Sequence, residues 1–236
     1  MLLGENEVHV WRSRLDLSTS QIDDFVKLLS GDETERSQRF RRDRDRDRFI
    51  AARGILRALL GQYLEIDPQT IEFSYTNKGK PYLSNGFSHL QFNVSHSNDL
   101  ALYGICRDRA IGIDIEHLRP LPNAPQLAQR FFSDRESKEL NALPREHQHL
   151  AFFQTWTCKE AYLKATGEGL AGLEKVEVFL KKDTAPKLVL PNENANQQWQ
   201  LELLYPHPDY VAALAIATTN IKLHQFEFPP TYTRLT

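Results

Sequence analysis

The chain has 236 residues, 41% of them hydrophobic and 25% charged, with a formal net charge of −2. This is the balance of a folded globular protein, long enough for one large domain or two small ones. It excludes a disordered chain and gives no global attraction to nucleic acid or to a membrane surface.

The two cysteines, Cys106 and Cys158, stand far apart and outside any metal-ligand spacing. They predict a reduced intracellular protein without a disulfide framework. The opening stretch lacks a signal-peptide core, and no apolar run reaches membrane-spanning length. The expected location is the cytoplasm.

In chain order, EVHVWRSRL alternates apolar and polar residues and predicts an opening strand. SQIDDFVKLLS reads as a short helix with Ser20 as N-cap, Asp23 and Asp24 in its first turn and Gly31 beyond its end. The stretch from Asp32 to Ile66 is helical in character, with Phe49, Ala52, Ile55, Leu56, Leu59, Leu60 and Tyr63 in helical period. TIEFSYTNKGKPYL predicts two strands around a Lys-Gly-Lys-Pro turn. LQFNVSHSNDLALYGICRDRAIGIDIE holds three short strands. Helices are predicted near 125–131, 134–142 and 146–166, then strands in VEVFLKKDTAPKLVL and WQLELLYPHPDYVAALAIAT. Corresponding strands, around Phe73 and Val178 or Leu100 and Val211, recur a little over a hundred residues apart, which suggests a duplicated module.

Four stretches carry chemistry. In AIGIDIEHLRP, Ile111, Ile113 and Ile115 share one face of a strand, while Asp114 and Glu116 share the other. Two like charges so placed repel each other unless a cation lies between them or solvent screens them. A solvated acidic edge strand is the alternative at this point. In FFQTWTCKEAYLKATGEGL, Glu160 and Lys164 lie one helical turn apart, either as a surface ion pair or as a third acid and a cation over that acidic face. Lys159 points about 100° around the helix from Glu160 and is a lesser candidate. Three carboxylates around an open position suit a hard oxygen-seeking ion such as Mg²⁺, and the histidines and cysteines show no zinc-ligand spacing.

In FNVSHSND, Asn93, Ser95 and His96 offer donors to an anionic ligand. A serine nucleophile is the weaker alternative, because strand neighbours point to opposite faces and no G-x-S-x-G elbow is present. Lys78 or Lys80 of NKGKPYL is placed on a tight turn, as a point charge for a phosphate or as an exposed lysine. In RFRRDRDRDRF the arginines are cancelled by Asp43, Asp45 and Asp47, so the run reads as a solvated helix face and not as a nucleic-acid site.

Taken together and in this order, IGIDIE at 111–116 and FFQTWTCKEAYLKATGEGL at 152–170, with GKP and NVSH before them, resemble the Sfp-type 4′-phosphopantetheinyl transferases over residues 8–220. Those enzymes move the phosphopantetheine arm of coenzyme A to a serine of an apo carrier protein and release adenosine 3′,5′-bisphosphate. The resemblance implies an α+β fold, a pseudo-twofold duplication of two similar halves with the active site in the cleft between them. Residues 1–109 would form the half that meets the nucleotide, 110–228 the half with the metal site and catalytic helix, and 229–236 a loosely held tail.

The resemblance further implies that Asp114, Glu116 and Glu160 hold Mg²⁺, with Mn²⁺ the alternative ion. Glu160 would act as base for the carrier serine, directly or through a metal-bound water, and Lys164 and Asp114 would complete the catalytic group. Arg36, Lys80, Asn93, Ser95, His96 and Lys164 would bind coenzyme A, with Arg41, Arg48 and Arg53 competing for the role of Arg36. Its expected partners are coenzyme A and an apo acyl carrier protein or peptidyl carrier domain of fatty-acid, polyketide or nonribosomal-peptide synthesis. The carrier would dock near Leu118, Leu121, Phe131 and Phe132 with Arg119, Arg130 and Arg135. A monomer is expected, with no nucleic-acid or membrane partner. Two other functions fit the same residues: a metal-dependent nucleotide pyrophosphohydrolase, which would need no protein acceptor, and a non-catalytic coenzyme A or carrier-binding module.

Overall fold

The computed structural model describes residues 1–84, 86–181, 184–190 and 198–229. The expected tail at 229–236 lies outside them except for Pro229.

One order of elements is laid down twice. The first pass is β1 (Glu7–Arg14), α1 (Thr19–Val26), α2 (Gly31–Gln38), α3 (Asp43–Leu64), a 3-10 turn at Pro68–Thr70, β2 (Phe73–Tyr75), β3 (Pro81–Leu83), β4 (Leu90–Ser97) and β5 (Leu100–Arg107). The second is β6 (Ile111–His117), α4 (Ala124–Phe131), α5 (Asp134–Ala142), α6 (Arg145–Thr166), a 3-10 turn at Leu170–Lys175, β7 (Glu177–Phe179), β8 (Lys187–Val189), β9 (Gln200–Leu204) and β10 (Tyr210–Ile216). A further strand, β11 (Lys222–Glu227), returns to pair in parallel with β1, a strand the sequence reading did not pick out. The sheets run β11-β1-β5-β4 and β6-β10-β9, with small pairs β2-β3 and β7-β8. Both cysteines are free and buried. No helix among the described residues is long and apolar enough to cross a membrane.

Helix boundaries follow local chemistry. The cap of α1 is Ser18, not Ser20, because Ser18 and Gln21 satisfy each other's backbone N–H groups in a capping box. That moves Asp23 and Asp24 out of the first turn. Gly31 opens α2 and does not trail α1, since Glu33 reaches back to the Ser30 N–H at 3.1 Å. The long helical stretch is therefore two helices, α2 and α3. Both long helices, α3 and α6, span 22 residues and end on a left-handed residue, Glu65 and Gly167 respectively.

The core forms in layers. Ile111, Ile113 and Ile115 pack with Val8, Val10, Leu102 and Leu214, so the two main sheets meet face to face. Each buried isoleucine contributes on the order of 1.5–3 kcal/mol. Helix α3 covers the outer face of the first sheet and α6 that of the second. Gly112 fixes how closely α6 lies: a Cβ there would stand 2.0 Å from the Ala161 carbonyl oxygen and 2.4 Å from the Ala165 nitrogen. The acidic face of β6 is thus roofed by a helix over Asp114, which is buried, while Glu116 is half-buried.

Strand β4 meets β6 along a seam made by side chains. Ile113 N–H donates to Asn93 Oδ1 at 2.9 Å, Ile115 N–H to Ser95 Oγ at 3.4 Å and His117 N–H to Ser97 Oγ at 3.1 Å. Residues two apart on one strand serve residues two apart on the other, as the strand period requires.

Candidate active site

The seam, β6 and α6 bring Ser95, Asp114, Glu160 and Lys164 together. Lys164 Nζ donates to Asp114 Oδ1 at 2.5 Å and to Ser95 Oγ at 2.8 Å. Ser95 Oγ donates to the same Asp114 oxygen at 2.9 Å. The other oxygen, Asp114 Oδ2, is buried without a hydrogen-bond partner, and so is Glu160 Oε1. Burial pushes the Asp114 carboxyl up, with Lys164 resisting. Burial and then the Asp114 charge push Glu160 up to about 7.

Glu116 stands aside from this pair. Its Oε2 accepts from Ser97 Oγ and from Arg119 Nη1, each at 3.2 Å. Among the described residues no three His, Cys, Asp or Glu side chains form a ready ion cage. Asp114, Glu116 and Glu160 lie close enough for their charges to act on one another, with Glu116 also held by Ser97 and Arg119. The donor set still fits Mg²⁺: only carboxylate oxygens, two of them buried and unpartnered, on acids that repel each other when both are charged.

The predicted ligand contacts divide. His96 is exposed near the end of β4. Partial enclosure, then the Lys164 and Arg48 charges, push its imidazole below the ordinary value. Asn93 is buried in the seam, its Oδ1 committed to Ile113. Lys80 donates to the carbonyls of Ile111 at 3.1 Å and Ala165 at 2.8 Å, and burial brings it down to about 8. Lys78 donates to the Glu168 carbonyl at 2.8 Å. The two lysines of the turn thus meet carbonyls at the end of α6, where a helix favours cations.

Arg36 is exposed on α2, its guanidinium 5.3 Å from the Phe49 ring. Of its rivals, Arg53 pairs with Glu33, while Arg48 binds Asp16 through Nε at 2.6 Å and Nη2 at 3.0 Å and lies close enough to His96 to act on it.

Lys159 belongs to the core. It is fully buried, with Nζ on Glu136 Oε2 at 2.6 Å and over the Phe132 ring at 5.1 Å. Glu136 is also the capping acid of α5 and accepts from Val178 N–H at 2.7 Å. Phe132 is buried and stacked on Phe152, so it offers no docking surface. Phe131 packs edge-on to Trp156, whereas Arg119 is 53% exposed.

Sequence reasoning missed Ser97 and the two buried ion pairs. The period-two run Asn93, Ser95, Ser97 held the signal for the first, and the spacings Ser30-x-x-Glu33 and Ser133-x-x-Glu136 for the caps.

The profile of the 4′-phosphopantetheinyl transferase superfamily matches residues 110–215, and that of the 4′-phosphopantetheinyl transferase N-terminal region matches residues 14–104. The 4′-phosphopantetheinyl transferase HetI of Nostoc sp. (strain PCC 7120) is 46% identical over 219 residues, covering 92% of this chain and 90% of that one. The 4′-phosphopantetheinyl transferase Sfp of Bacillus subtilis (strain 168) is 28% identical over 206 residues, 82% of this chain and 89% of that one. A holo-(acyl-carrier-protein) synthase from Bacillus anthracis aligns with 45% of this chain and 93% of its own at 21% identity and a TM-score of 0.39.

Proposed function

The chain belongs to the 4′-phosphopantetheinyl transferases, and from that premise we propose that its transfer chemistry runs where β4, β6 and α6 converge. The enzyme moves the phosphopantetheine arm of coenzyme A to a serine of an apo carrier protein. The serine oxygen bonds to the phosphorus that bears the pantetheine, the pyrophosphate P–O bond breaks, and adenosine 3′,5′-bisphosphate leaves. The serine proton must go to a base.

Glu160 is that base. Its Oε1 is buried and unpartnered beside Asp114, available to take the serine proton directly or to orient a water that takes it. This is the observation that carries the reading. Asp114, Glu160 and, once turned from Arg119, Glu116 would hold Mg²⁺ or Mn²⁺, which supplies charge neutralisation at the pyrophosphate. Lys164, bridging Asp114 and Ser95, keeps a cation beside the same phosphates. Ser95 holds both groups in place. His96, with Arg48 at its side, is suited to the nucleotide's 3′-phosphate, where the anion would favour the protonated imidazole. Lys80, exchanging a carbonyl for a phosphate oxygen, and Arg36 are further contacts to the nucleotide.

The carrier is an acyl or peptidyl carrier domain of fatty-acid, polyketide or nonribosomal-peptide synthesis, approaching past Leu118, Leu121 and Arg119. The enzyme works as a cytoplasmic monomer. Intact-protein mass spectrometry of an apo acyl carrier protein with coenzyme A and Mg²⁺ tests the reading. The carrier gains one phosphopantetheine arm, and the gain disappears with EDTA and with Glu160→Ala. Coenzyme A cleaved with no change in carrier mass would mark a pyrophosphohydrolase instead. Coenzyme A bound but never consumed would mark a binding module.

A further inference from the structure

The seam between β4 and β6 has three rungs. Asn93 faces the rung beside Gly112, Ser95 the rung beside Asp114, and Ser97 the rung beside Glu116. An amide stands where the neighbour is a glycine, and a hydroxyl stands where the neighbour is an acid. The two serines do the same double work. Ser95 accepts from Ile115 N–H and donates to Asp114 Oδ1. Ser97 accepts from His117 N–H at 3.1 Å and donates to Glu116 Oε2 at 3.2 Å.

A hydroxyl has one proton and two lone pairs. Once the backbone N–H of β6 points at the oxygen, its proton is left for the carboxylate, so the strand aims the serine and the serine aims the acid. The second donor on Glu116 is of another kind. Arg119 is 53% exposed, and an ion pair so placed is screened by water and holds weakly. Both donors end on Oε2, leaving Oε1 as the oxygen without a hydrogen bond among the described residues.

We propose that Ser97 is a positioning residue of the transfer, fixing the Glu116 carboxylate by its Oε2 so that Oε1 is presented to the divalent cation. Arg119 competes for the same carboxylate. The proposal rests on the reading that these acids hold the ion, and it concerns binding before any chemistry occurs.

The test is Mn²⁺ binding to the full chain without coenzyme A or carrier, followed by the electron paramagnetic resonance signal of free Mn²⁺. Ser97→Ala weakens binding about tenfold, the lower end of what loss of an outer-shell partner does at metal sites. Ser97→Thr, which keeps the hydroxyl, stays within about twofold of the wild type, and Ser97→Cys, a poorer donor of similar size, falls between. Arg119→Gln shifts the other way and tightens binding about twofold. In a Glu116→Ala background, Ser97→Ala adds nothing further. Wild-type affinity in Ser97→Ala and Ser97→Cys overturns the proposal while leaving the metal reading intact. So does an undiminished effect of Ser97→Ala in the Glu116→Ala background, which would make Ser97 a seam residue only. Absence of Mn²⁺ binding by the wild type overturns both.

Discussion

The two halves of the chain share a scaffold and differ in what it carries. Counted back from the left-handed caps at Glu65 and Gly167, Arg57 and Lys159 occupy one position. Each is buried against the capping acid of the preceding helix, Glu33 or Glu136. By the same count, Ala58 and Gln62 stand where the second half has Glu160 and Lys164. Beneath them, β1 presents Trp11 and His9 to Tyr63 of α3, where β6 presents Gly112, Asp114 and Glu116 to α6. What recurs is the device that orients a helix; what does not recur is the chemistry. The comparison separates residues that build the fold from residues that use it.

The sharpest way to break that division is by activity. Glu160→Gln lowers kcat by about 10²–10⁴, the usual loss for a missing general base, whereas Gln62→Ala, at the position that matches Lys164, leaves it within about twofold. Steady-state rates of carrier modification check both, and equal losses would end the claim that the halves are functionally unlike. The ion pairs should behave alike instead. Arg57→Met and Lys159→Met each remove the buried partner of a buried glutamate and destabilise the protein by about 3–5 kcal/mol, although Arg53 still reaches Glu33. Arg57 sits at the upper end because it also donates to the carbonyls of Pro68 and Ile71. Denaturant unfolding of the two variants would reveal any asymmetry.

Close approach of helix to neighbour differs by what is met. A Cβ on Gly112 strikes α6 backbone at 2.0 Å, while one on Gly54 strikes the Phe25 side chain at 2.6 Å. Gly112→Ala is expected to cost about 3 kcal/mol or more and to displace Glu160, with Gly54→Ala costing about 1–2 kcal/mol because a side chain can yield. Melting temperatures and residual activity distinguish them.

The smallest effect is on pH dependence. In metal-free protein the folded state holds the Glu160 proton up to about 7, against an ordinary value of 4.5. Stability attributable to this group is therefore full below the ordinary value and is lost as pH rises from there to about 7. Glu160→Gln removes that slope and stabilises the metal-free chain at pH 8 by roughly 1 kcal/mol, allowing for solvent screening. Melting curves across this range for both proteins would show the difference; parallel curves would count against the raised carboxyl.

Much of this was legible before any coordinates. Alternation placed the three isoleucines of β6 in the core and Asp114 and Glu116 together on the far face, because strand period leaves no other arrangement. Helical spacing brought Glu160 and Lys164 to one side of α6. Contacts between distant segments left no such trace. Lys159 looks like a surface lysine until Glu136, far away in sequence, is packed against it. Ser20 reads as the cap by its place before the apolar residues, whereas Gln21 settles the matter by pairing with Ser18. β11 escaped notice because its partner is β1, at the other end of the chain, and a parallel pair has no turn to announce it.

That last pairing ties the duplication into a loop. With β11 lying beside β1, the first sheet is completed only after the whole second unit has been threaded through. A fragment cut near residue 110 would leave β1 as a bare edge, open to strand exchange and aggregation. The first sheet therefore takes strands from both ends of the chain, and its outer edge is supplied by the segment that follows the second run of elements.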